Sequence, residues 1–99
     1  MQTSSGWSLY IIRCKDRSLY VGITTDVDRR FQEHLSQGKR CAKYLRGRKP
    51  LALVYQADVG TKAQALRLEY TLKQLPKAKK EALIHGSIML DKTCDIKSC

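Results

Sequence analysis

No apolar run in this chain exceeds five residues; the longest is "LALVY" at 51–55. About twenty are needed to cross a bilayer as a helix, so a membrane-spanning helix is excluded. The opening "MQTSSGWS" lacks the charged-then-apolar layout of a secretory signal, and a cytoplasmic or nucleoid-associated chain is expected. Also missing is any C-x-x-C pair. The four cysteines, Cys14, Cys41, Cys94 and Cys99, are even in number, as a disulfide framework would require. With neither a secretion signal nor paired spacing, free thiols are the expectation. Cys94 and Cys99 would supply half a zinc site, but His34 and His85 stand at no zinc spacing from them. Acidic residues are scarce, with 9 Asp and Glu against 19 Lys and Arg, a formal net charge of +10. That excess favours a polyanionic partner, nucleic acid first, with solubility charge as the bland alternative.

Ninety-nine residues suit one domain with a thin core. No internal repeat or low-complexity segment is visible. Trp7 to Arg13 and "LYVGIT" at 19–24 are β-rich, and the polar link "CKDRS" joins them as an antiparallel hairpin. In the second run Leu19, Val21 and Ile23 share one face, and Tyr20, Gly22 and Thr24 the other. A strand glycine marks either close approach by a ligand or another backbone, or a bulge. Thr25 with Asp28 fits an N-cap, and Val27, Phe31 and Leu35 give the helix that follows a buried stripe. Asp26, Arg30 and His34 line the edge of that stripe, and Gly38 is the expected stop.

The segment "KRCAKYLRGRK" at 39–49 holds six basic residues and no acidic one. Lys39, Arg40, Lys43, Arg46, Arg48 and Lys49 are candidate phosphate contacts, with Tyr44 placed to stack on a base. A solvated loop is the alternative. Pro50 leads into a third strand, "LALVYQA". Thr61 and Gln64 form a capping box opening a helix to about Gln74. Pro76 begins a third helix that His85 and Gly86 close. One domain over 1–86 is expected, with 87–99 as a mobile tail.

Glu69 falls between Ala65 and Leu66 on the helical wheel, inside an apolar arc that includes Leu68, Tyr70, Leu72 and Leu75. A carboxylate directed at a core needs a positive partner. One solution is an internal ion pair with Lys73 or an arginine. The other is a hard cation, since one carboxylate suffices for Mg²⁺ or Mn²⁺ when water and substrate phosphate fill the remaining positions. Phosphodiester hydrolysis would use that cation, with Arg30 as counter-charge to the transition state. Tyr10 and Tyr20 would orient or deprotonate water, and His34 would move a proton or fix a phenol.

These residues resemble the GIY-YIG nucleases. "LYI" at Leu9–Ile11 and "YVG" at Tyr20–Gly22 are similar to the two strand motifs behind that name. "TTDVDRRFQEH" puts Arg30 on the family's catalytic arginine and His34 on a position that is His or Tyr. "ALRLEYTLKQL" puts Glu69 on the metal-binding glutamate. The resemblance spans about residues 7–84 and is closest to small stand-alone bacterial members of the YhbQ type. It implies an α+β fold, a small three-stranded antiparallel sheet flanked by helices. It also implies one divalent cation at Glu69 and cleavage to a 5′-phosphate and a 3′-hydroxyl. The chain departs by carrying Leu9 for the first motif's glycine and by having no asparagine, where many members place a late one near the site. Either Lys73, a further candidate phosphate contact, or another group stands in, or that interaction is absent.

The expected function is a metal-dependent DNA endonuclease in repair or recombination, with RNA as the other substrate. Lacking a second domain to read sequence, it would recognise DNA structure or rely on a protein partner. A binding module that keeps the fold and cleaves poorly is the alternative. A covalent tyrosine nucleophile ranks last, because it leaves Glu69 without a task.

Overall fold

The structure is a computed structural model that describes residues 6–91 and 95–98, with side chains described as far as Ile88. Three strands form the main sheet: β1 (Trp7–Arg13), β2 (Leu19–Thr24) and β3 (Ala52–Gly60), in the order β2-β1-β3. Both pairings are antiparallel, and Tyr10 lies opposite Gly22 on one side and Gln56 on the other. The helices are α1 (Val27–Ser36), α2 (Lys62–Gln74) and α3 (Lys77–Ile84). This is the α+β arrangement that the resemblance implied.

Strand alternation sends successive β1 side chains to opposite faces, and each face has its own core. Leu9, Ile11 and Val21 pack with Leu68, Leu72, Leu83 and Ile88, so α2 and α3 cover the first face. Tyr10, Ile12 and Cys14 pack with Val27, Cys41, Leu45 and Leu51, so α1 and the basic segment cover the second. Both faces of the central strand are thereby buried over Leu9–Ile12. Among the described residues no helix is long and apolar enough to cross a membrane.

Several local expectations are corrected. The α1 N-cap is Asp26, one residue beyond Thr25: Asp26 Oδ1 accepts from the Arg29 N–H at 3.0 Å. Thr24 Oγ1 in turn accepts from the Asp26 N–H at 3.1 Å, which holds the cap in its extended conformation. The helix ends on Gln37 in the left-handed conformation, φ 59°, and not on Gly38. Gln37 tolerates that position because its side chain is tied down: Nε2 donates to the carbonyls of His34 and Leu45, and Oε1 accepts from the Gly47 N–H. In α1, Val27 is buried, Phe31 and Leu35 only half so, and His34 fully.

The capping box of α2 is present as expected, with Thr61 Oγ1 accepting from the Gln64 N–H and Gln64 Oε1 from the Thr61 N–H. Within the span 87–99 expected as a mobile tail, β4 (Ile88–Asp91) and β5 (Asp95–Ser98) pair antiparallel, and Ile88 enters the core. Strands of four residues carry too little alternation to be recognised in a sequence. Cys14 and Cys41 are free and buried, and Cys94 and Cys99 lie outside the described residues.

Candidate active site

The site begins with a phenol laid across a glycine. Tyr10 is 2% exposed, and a Cβ at Gly22 would come within 2.5 Å of its Cζ and Oη. What approaches Gly22 is therefore the facing tyrosine, neither a ligand nor a backbone, and the pairing with β1 continues through it without a bulge. Only a residue without a side chain lets the ring lie flat there.

The Tyr10 hydroxyl meets His34 Nε2 at 2.9 Å. On the other side of the imidazole, Nδ1 accepts from the Ala42 N–H at 3.3 Å. A backbone donor at Nδ1 leaves the ring proton of a neutral histidine on Nε2. His34 thus donates to Tyr10. Burial, and then the nearby Arg30 guanidinium, lower the His34 pKa to about 4, so the ring is neutral at pH 7. The expected place of His34, at the edge of a helical stripe, is corrected to the second core, between α1 and β1.

Tyr20, on edge strand β2, stands beside this pair. Its ring lies 6.4 Å from that of Tyr10 and 5.7 Å edge-on from His34. Burial raises the pKa of both phenols, and Arg30 pulls both back down. Without a cation beside them, both hydroxyls are therefore protonated at neutral pH. Arg30 donates to Glu33 Oε1 at 2.8 Å and to the Arg40 carbonyl at 2.6 Å. Glu33 was not foreseen as a site residue, although its position three residues after Arg30 is a pairing distance on a helix. Arg30 holds its carboxyl below the usual range.

Glu69 reaches the cluster from α2, and its carboxylate pushes the pKa of both phenols upward. Its expected core-facing orientation is corrected. Leu66 and Tyr70 are 46% and 70% exposed, so the buried stripe narrows to Ala65, Leu68 and Leu72, with Glu69 at its rim. Lys73 Nζ lies 3.5 Å from Glu69 Oε2 and 5.8 Å from the Tyr20 ring centroid. The pair with Lys73 is thus present, but at the surface, not in the interior. Since β2 is an edge strand, α2 reaches the Tyr20 ring around that edge.

The half-open Glu69 carboxylate, within electrostatic reach of both phenols, is a hard donor that suits Mg²⁺ or Mn²⁺. Among the described residues no group of three or more His, Cys, Asp or Glu gathers as a metal cage. A cation here would take Glu69 from the protein and most other positions from water and substrate oxygens.

The basic segment folds back beside the tyrosines. Cys41 and Leu45 anchor it in the second core. Tyr44, the candidate to stack on a base, is 41% exposed; it also stacks on Tyr20 at 5.9 Å between centroids, and the Arg48 guanidinium lies 4.3 Å from its ring centre. Arg48 also pairs with Asp16, and Arg46 donates to the Gly38 carbonyl at 2.9 Å. Lys39, Arg40, Lys43 and Lys49 are exposed. The structure divides the run into cations that hold the segment together and cations that face solvent.

Residues 6–82 match the GIY-YIG catalytic domain. A UPF0213 protein of Cronobacter sakazakii is 51% identical over 85 residues, covering 86% of this chain and 87% of its own. UPF0213 protein YhbQ of Escherichia coli K12 is 54% identical over 78 residues, 79% and 76% of the two chains. Two solution NMR structures share the fold. A Bacillus halodurans UPF0213 protein has TM-score 0.52 and 46% identity, covering 81% of this chain and 83% of that one. An E. faecalis protein has TM-score 0.58 and 32% identity, covering 87% and 90%. The matched span holds all three sheet strands and every member of the Tyr10, Tyr20, Arg30, His34 and Glu69 cluster, and this chain belongs to the GIY-YIG family, among the UPF0213 proteins of the YhbQ kind.

Proposed function

We propose that this protein is a divalent-metal-dependent endonuclease that hydrolyses DNA phosphodiester bonds, recognising DNA structure in repair or recombination. The observation that carries the reading is the convergence of Arg30, His34 and Glu69 on the same two phenols. Packing alone does not call for a carboxylate, a guanidinium and an imidazole around one pair of tyrosines.

Each side chain has a task that follows from its surroundings. His34 donates through Nε2 to Tyr10, which turns the phenol hydrogen away from the imidazole and stabilises negative charge on that oxygen. Arg30 offers a planar fork of donors to the phosphoryl oxygens as charge builds in the transition state. Tyr20, half-buried beside Tyr10, orients the attacking water. Lys73, already beside Glu69, is placed to meet an adjacent phosphate. Glu69 would hold Mg²⁺ or Mn²⁺, which when bound polarises the scissile phosphate and lowers the pKa of neighbouring water and phenol. The exposed lysines of 39–49 hold the flanking backbone, and a protein partner supplies further specificity.

The contact of Glu69 with Lys73 favours a second reading, a nucleic-acid-binding module in which the carboxylate only pairs a lysine. Incubation with flapped, branched and linear DNA, in Mg²⁺, Mn²⁺ or chelator, separates the two. The nuclease reading expects cleavage that depends on the cation and is fastest on a branched or flapped substrate. Binding without cleavage in either cation favours the module.

A further inference from the structure

Beside the tyrosine cluster lies an open groove whose lining includes Trp7, Thr24, Arg29, Arg30, Glu33 and Arg40. It meets the candidate active site at Arg30 and its partner Glu33, and does not include Lys43 or Lys49. Three guanidiniums face one carboxylate there. Glu33 is occupied by Arg30, while Arg29 reaches it only at 3.9 Å and is 61% exposed. Arg40 is exposed as well. Trp7 supplies a half-buried indole, steadied from α2 by Lys62, whose Nζ lies 5.4 Å from the ring centroid. Thr24 is buried and fixed by its bonds around the α1 cap, so this wall of the groove is rigid.

A flat aromatic wall beside two available arginines is the combination that holds a single nucleic-acid strand. The ring takes a base by stacking and the cations take the phosphates on either side. Continuity with Arg30 sets where that strand lies, because a strand whose scissile phosphate meets Arg30 continues directly into the groove. Stacking on Trp7 also requires a base that has left its duplex neighbours. We infer that this groove is a subsite for a single-stranded DNA segment flanking the scissile phosphate, with a base on Trp7 and its phosphates on Arg29 and Arg40. The inference rests on the nuclease reading for its register but not for its binding chemistry. It narrows the substrate to DNA with an unpaired flank, a flap or overhang, over continuous duplex.

Trp7 is the only tryptophan in the chain, so its emission reports on the groove directly. The intact protein is titrated in chelator with an eight-residue thymidine oligonucleotide and, separately, with a blunt duplex of equal length. The single strand is expected to quench Trp7 emission saturably, and the duplex to leave it unchanged. By anisotropy of a labelled oligonucleotide, Trp7→Ala should weaken single-strand binding about tenfold. Trp7→Phe, which keeps a ring, should retain most of it. Arg29→Ala with Arg40→Ala should lower the salt slope by about 1.4, the single-strand value for two phosphate contacts. Unchanged Trp7 emission, equal quenching by duplex, or Phe and Ala variants that fold and bind like wild type would overturn the subsite. The wild-type titration decides even if Trp7→Ala fails to fold. Quenching by a protein that cleaves nothing keeps the subsite and removes the nuclease reading. Cleavage of flapped DNA with silent Trp7 emission does the reverse.

Discussion

His34 donates from Nε2 to the Tyr10 hydroxyl at 2.9 Å because the Ala42 N–H, 3.3 Å from Nδ1, leaves the ring no other neutral tautomer. Two elements far apart in sequence thereby set the direction of one phenol hydrogen. The arrangement tolerates only a neutral ring: a protonated imidazole would point an N–H from Nδ1 at the Ala42 donor.

That contact predicts an acid-sensitive fold. The His34 pKa in the folded protein is about 4, against 6.5 for the unfolded chain. Between those values the unfolded state binds the extra proton, so the stabilising contribution is full above pH 6.5 and is lost as pH falls toward 4. The melting temperature should decline across that window, and the decline should shrink in His34→Gln. NMR titration of the His34 ring near pH 6.5 would contradict the buried, neutral assignment.

Gly22→Ala tests the phenol's seat. The new methyl would meet Tyr10 at 2.5 Å, inside any permitted contact. Overpacking of this kind costs about 1–3 kcal/mol, and the ring can move only by leaving His34. Denaturant unfolding should register that loss, with cleavage falling further than stability does. A variant as stable and active as wild type would mean that the ring has slack.

The basic segment predicts a split between its cations. Lys39, Lys43 and Lys49 face solvent, whereas Arg48 holds Tyr44 and Asp16. Replacing the three lysines with alanine should leave the melting temperature unchanged. Their loss should lower the salt slope of duplex binding by about 0.9 for each phosphate contact removed. Arg48→Ala should loosen the segment itself and lower the melting temperature. An unchanged slope in the triple variant would return these lysines to the role of solubility charge.

The sheet and the α2 cap were legible because their signals are local: alternation over 7–13 and 19–24, and the reciprocal Thr61 and Gln64 bonds. The five candidate residues stand out in the sequence as a pattern spread along the chain, but their environments do not. His34 sits on the polar edge of α1 by periodicity, and only the packing of β1 against that helix buries it. Glu69 looked core-facing because Leu66 and Tyr70 are apolar by type, yet the narrow sheet covers only one stripe of α2 and leaves both in solvent. The same limit hid the partners of Tyr44, since Tyr20 and Arg48 are brought to it by the fold.

Arg30 is predicted to act in the transition state more than in binding. Arg30→Ala should slow cleavage roughly a hundred- to a thousand-fold, the usual loss for one preorganised donor to developing charge. Arg30→Lys should recover little of it, since a point charge lacks the planar fork. Single-turnover rates with saturating flapped DNA measure this. A defect confined to affinity would move Arg30 to the binding surface.

Glu69→Gln bears most directly on whether the cluster is a metal-dependent catalytic centre. The Lys73 partner is 48% exposed and Glu69 21%, so their ion pair contributes no more than about 1 kcal/mol. Cleavage of flapped DNA in Mg²⁺ or Mn²⁺ is measured beside the melting temperature and the DNA affinity in chelator. Cleavage should collapse while the melting temperature stays within a degree or two of wild type and affinity holds or rises, a repulsive charge having gone. Retained cleavage, or activity lost only in proportion to unfolding, would contradict the account and leave Glu69 as the partner of Lys73.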